Sequence, residues 1–163
     1  HIVCGELDAA AGLLAECPAL LHGADMPDRE ASYHLSCTRL ALARGELVEA
    51  ADHLGKSFEG HRATGYFYGL EEDYLCAAEL ALRCARYEQT LCLLSGHASQ
   101  IRLIGRINEP LRRQKLDAQI AEARSRLDPA VADAAWAQGE AMTADELVDY
   151  ARREVLDCVD TVH

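Results

Sequence analysis

No apolar run in this 163-residue chain approaches the ~20 residues that a membrane-spanning helix needs. Basic residues are scarce: 16 stand against 27 acids, a formal charge of −11. A nucleic-acid-binding module needs a basic face to meet phosphates, so that class is disfavoured for this chain. Aromatics make up only 6%. The β-branched alternation that marks strands is nearly absent. No G-x-x-x-x-G-K-[ST] stretch is present, so no phosphate-cradling P-loop is expected. The first residue is His1, and nothing near it has the form of a signal peptide. The chain therefore reads as a segment of a longer protein.

Seven cysteines stand at 4, 17, 37, 76, 84, 92 and 158. The number is odd and no C-x-x-C pair occurs, which speaks against both a disulfide framework and a zinc ribbon. Cys76 and Cys92 sit inside Ala/Leu-rich patterns, where a thiol behaves as a small hydrophobe. Reduced, buried thiols and a cytoplasmic location are the expectation.

What is present is helix, end to end. Leu7, Ala10, Ala11 and Leu14 share one face of a stretch over 6–16, which Cys17-Pro18 weakens. Gly23 and Pro27 mark a break, and Asp28 is the expected N-cap of the next helix, ending near Gly45. A helix over 46–58 follows. Gly60, Gly65 and Gly69 are expected to loosen the chain around Tyr66-Phe67-Tyr68. Helices are then predicted over about 70–84 and 87–104. A long one after Pro110 carries Leu116, Ile120, Ala123 and Leu127 on one face. Asp128-Pro129 starts another, closed at Gly139. Thr143-Ala144-Asp145-Glu146 is a capping box for the last.

Two segments repeat. Gly5-Glu6-Leu7 through Leu14 aligns with Gly45-Glu46-Leu47 through Leu54 at six of ten positions, an offset of 40 residues. Ala85 to Leu94 stands another 40 on and matches in character: large third, small sixth, Leu tenth. Fixed spacing in this range points to stacked helical pairs and resembles the tetratricopeptide repeat, whose own period is ~34 residues. The expected fold is all-α: a right-handed superhelix of antiparallel helix pairs, about seven or eight helices. Repeats would fill 1–104, and 105–163 would pack on and cap the stack within the same domain.

Further features narrow the resemblance. They are Ala41-Leu42-Ala43-Arg44-Gly45-Glu46-Leu47, Leu93-Leu94-Ser95-Gly96-His97-Ala98, and the end motif from Ala135-Trp136 through Gly139 to Thr143-Ala144-Asp145-Glu146-Leu147. The run from about 38 to 151 resembles the C-terminal helical-repeat region of large bacterial LuxR-type and AfsR-like transcriptional regulators. That resemblance implies a non-enzymatic module that receives a signal or binds a protein. Its partners would be a protein or small-molecule effector and other domains of the parent chain, which carry an ATPase or cyclase module. DNA would be met only through a domain outside this chain, and no membrane contact is implied. A structural or oligomerisation arm, forming a homodimer without ligand, is the alternative.

No catalytic, cofactor-binding or metal residue is assigned, and the binding residues stay unassigned. His34 and Cys37 share a helical face, but zinc takes three or four protein ligands and no H-E-x-x-H completes the set. His53 and His61 read as surface or capping side chains. Ser32, Ser36 and Ser57 lack a nucleophile-elbow setting. Glu71-Glu72-Asp73 reads as the solvated start of a helix rather than a site for a cation or basic peptide. Cys158 and His163 lie near a terminus expected to fray. Tyr66-Phe67-Tyr68 with Tyr74 reads as packing. Residues 101–126 hold seven basic residues and three acids; Arg113 and Lys115 there read as a solvated face, with docking of an acidic partner as the alternative.

Overall fold

The computed structural model describes residues 6–21, 27–105 and 110–161. Gly5, Gly23, Ile107 and His163 lie outside them. The fold is all-α. Among the described residues there are eight helices and no strand: α1 (Leu7–Leu21), α2 (Pro27–Arg44), α3 (Leu47–Thr64), α4 (Phe67–Arg83), α5 (Tyr87–Leu103), α6 (Pro110–Ser125), α7 (Pro129–Glu140) and α8 (Ala144–Glu154). A 3-10 turn over Leu156–Thr161 follows, with Val159 buried.

Several boundaries differ from expectation. α1 passes through Pro18, which removes one backbone donor without ending the helix. The thiol of Cys17 points back to the Leu13 carbonyl at 3.4 Å. α2 opens on Pro27, so Asp28 lies in its first turn rather than at its cap. α3 extends well past 58, and α4 begins at Phe67. Gly60 and Gly69 are interior to these helices rather than loosening them. A Cβ on Gly60 would lie 2.6 Å from the Ala31 Cβ, so the glycine lets α3 approach α2 closely here.

One local geometry recurs. Gly45, Gly65, Ala85 and Gly105 all have positive φ, at 78°, 67°, 56° and 69°. They stand 20 residues apart. At the first three the backbone closes a six-residue loop of the Schellman kind. The N–H of Glu46 donates to the carbonyl of Ala41, Tyr66 to His61, and Arg86 to Ala81, at 2.8–2.9 Å. The large residue two places on, Leu47, Phe67 or Tyr87, then opens the next helix. The 40-residue repeat in the sequence is therefore two such 20-residue steps.

By its contacts the chain divides into two compact units, 1–76 and 77–163, and the division falls within α4. In the first, α2 and α3 pack along each other over Leu35, Leu42, Ala50, Leu54 and Phe58. In the second, α5 is central. Its residues from Thr90 to His97 are all buried, so it is wrapped rather than amphipathic. α7 crosses it where Gly139 lies against the Cys92 carbonyl, and α8 where Gly96 lies against Leu147. Leu91, Ala123, Ala132 and Ala135 form a cluster closed by Leu82, Ile120, Leu127 and Trp136. Trp136 is only half-buried, with the Arg124 guanidinium 5.6 Å above its ring.

Candidate functional site

The apolar stripe of α3 runs through Ala50, Leu54, Ser57, Phe58 and His61, spacings that keep all five on one face. Two of them are polar. Asp73 enters from α4, on the stripe that carries Leu70, Tyr74 and Ala77. Ser57, His61 and Asp73 are all wholly buried. The Ser57 hydroxyl lies 2.7 Å from Asp73 Oδ1 and 3.1 Å from the Ala31 carbonyl, both able to accept its proton. His61 Nδ1 lies 2.8 Å from Asp73 Oδ2. Burial pushes the Asp73 carboxyl above its ordinary range, while the hydrogen bonds from His61 and Ser57 and the charge of Arg39 pull it back.

These are the residue types of a nucleophilic triad, but their wiring differs. In a catalytic triad serine meets Nε2 and the carboxylate orients Nδ1. Here Asp73 bridges both partners, and Ser57 approaches His61 on Nδ1, at 3.3 Å. Among the described residues, His61 Nε2 has no hydrogen-bond partner. Its ring lies against Gly69, where a Cβ would overlap ring atoms, and beneath Tyr66 at 5.6 Å between ring centres. The trio is a closed polar knot that ties α4 to α3.

The structure corrects two expectations. His61 is a core residue, not a surface or capping one. Asp73 and Glu71 are buried rather than solvated, and Glu72 pairs with Arg39 of α2. The sequence carried a usable signal: Ser57 and His61 lie at i and i+4 on the same stripe as Leu54 and Phe58. Asp73 likewise stands three and four residues from Leu70 and Ala77.

The remaining candidates are placed as follows. His34 and His53 meet, Nδ1 to Nδ1, at 2.9 Å across α2 and α3. Cys37 bonds with Tyr33 instead, and burial pushes its thiol up. Among the described residues, no three His, Cys, Asp or Glu side chains gather as metal ligands. Ser32 and Ser36 spend their hydroxyls on the carbonyls of Asp28 and Ser32. Tyr74 is buried against Phe58, while Tyr66 and Tyr68 are exposed. Cys76, Cys84 and Cys92 are buried; Cys17, Cys37 and Cys158 are half-buried. The basic stretch is partly used internally: Arg102 pairs with Glu140, Lys115 with Glu79 and Arg124 with Asp133. No described helix is long and apolar enough to cross a membrane. No family model matches the chain, and neither a curated protein nor a solved structure does.

Proposed function

We propose that this chain is a helical-repeat interaction module of a bacterial signalling regulator. It receives a protein or small-molecule signal and passes it to effector domains of the same parent chain. The observation that supports this reading is the left-handed turn recurring at 45, 65, 85 and 105. Equal steps of helix and turn are how a right-handed superhelix of antiparallel pairs is built. Signal transfer would arise from a ligand's different affinity for two arrangements of the stack. The end motif fits as well, because each of its marked residues has a packing role. Trp136 closes a cluster, Gly139 permits a crossing, Thr143 caps α8, and Leu147 is buried.

The reading frame that contains this segment tests the proposal. It is expected to encode an ATPase or cyclase module, or a helix-turn-helix domain. A frame that couples the segment to none of these overturns it. A second reading, an oligomerisation arm, draws on the exposed Leu103 and Leu111, at 77% and 76%. Sedimentation over a hundredfold concentration range, about 1 to 100 μM, separates the two. A dimer that forms with rising concentration favours the arm, and a monomer throughout favours the module.

A further inference from the structure

The contact between His34 and His53 has a distinctive geometry. The ring centres are 5.2 Å apart and the two Nδ1 atoms 2.9 Å. The difference is what two ring radii supply, so both nitrogens lie on the line joining the rings and face each other head-on. Two imidazoles sharing a metal ion would instead aim their lone pairs at a third point. Head-on contact at this distance suits one N–H donating to one bare nitrogen.

From this geometry we infer that His34 and His53 form a proton-sharing clasp between α2 and α3, which a second proton opens. With no added proton, one ring carries Nδ1–H and the other accepts on Nδ1. One added proton is accommodated, since the bond becomes charge-assisted and the Glu49 carboxylate lies 3.9 Å from His53 Nε2. A second proton places two N–H groups face to face between two cations. No lone pair is left to accept, and the rings must part.

The surroundings act in the same sense. Burial disfavours a charge on His34 most, followed by His53 and Lys56, while Glu30 and Asp52 oppose them. Lys56 is held 2.7 Å from Asp52, so those two largely offset each other. The other titratable groups here are Tyr33 and Cys37 on α2, Glu49 on α3, and Cys17 on α1, which acts on Tyr33 and Cys37. His34 therefore takes its proton below the ordinary 6.5.

Histidine ring resonances followed by NMR from about pH 8 to about pH 4.5 test the clasp. The pair is expected to titrate in two steps separated by about one unit or more. His53→Ala should raise the His34 midpoint toward 6.5. His53→Gln, which keeps an acceptor, should raise it too and guards against loss of fold in the alanine variant. Amide exchange in the α2 and α3 turns beside the pair should quicken through the lower step. An unchanged His34 midpoint in both variants overturns the inference, because the rings then titrate independently. Exchange that does not respond to the lower step also overturns it, because nothing then opens.

Discussion

At the scale of single residues, the buried polar atoms and a strained backbone position carry the sharpest consequences. Asp73 accepts from two buried donors at once, so its loss takes the carboxylate from His61 and leaves Ser57 only the Ala31 carbonyl. Asp73→Ala is expected to lower unfolding free energy by about 3 kcal/mol in urea titrations. Ser57→Ala should lower it by only about 1 kcal/mol, since Asp73 keeps His61. Ala85 is the opposite case. It holds φ 56° where the equivalent positions 45, 65 and 105 have glycine. An L-residue in that region brings its Cβ close to backbone oxygen. Ala85→Gly should therefore stabilise the chain by about 0.5–1 kcal/mol, the relieved strain exceeding glycine's extra entropy loss. A lower thermal midpoint for this variant would show that Ala85 sits there without strain.

At the scale of elements, what was legible in the sequence was whatever is local. Asp128-Pro129 starts α7 as expected, with the Asp128 carboxylate accepting from the Ala130 N–H at 2.9 Å. Thr143 and Glu146 close their capping box, and the Thr143 N–H and hydroxyl hold the Glu146 carboxyl below its ordinary range. A depressed acid binds its proton later in the folded chain than in the unfolded one. The box's contribution is thus complete above the unfolded pKa and fades as pH falls through the folded one. Thr143→Ala should lower stability by ~1 kcal/mol at neutral pH, and by less in acid, measured by thermal unfolding. What was not legible depends on the neighbouring element. Gly60 and Gly69 look like breaks in the sequence, but each accommodates a side chain from a partner element or turn. His61 and Asp73 looked exposed because their residue types usually are, whereas stripe position made them core. Glycine crossings in the second unit rank by what they touch. A Cβ at Gly139 would collide with the rigid Cys92 carbonyl, and one at Gly96 would meet the side-chain tips of Leu147 rather than backbone at its nearest contacts. Gly139→Ala should therefore destabilise by about 3 kcal/mol and Gly96→Ala by about 1 kcal/mol in parallel denaturation curves.

At the scale of the whole molecule, the decisive element is α4, because the division between the two compact units falls inside it. Its first half serves one unit: Asp73 reaches Ser57 and His61, and Tyr74 packs on Phe58. Its second half serves the other: Leu82 lies on the Leu91 cluster, and Glu79 pairs with Lys115. Ala77, wholly buried at the division, is where a break would be felt on both sides. Proline there removes a helical hydrogen bond and drives its ring into the carbonyl one turn back, at a cost of about 3 kcal/mol or more. Ala77→Pro is therefore expected to reduce amide hydrogen-exchange protection in α3 and α5 together, rather than in α4 alone. Ala77→Ser, which keeps the helical backbone, should leave the pattern near that of the parent and so separates the backbone effect from lost packing. Protection lost in only one of the two helices would mean that each unit folds without the other's half of α4. Joint loss means that the stability of each unit depends on an unbroken α4.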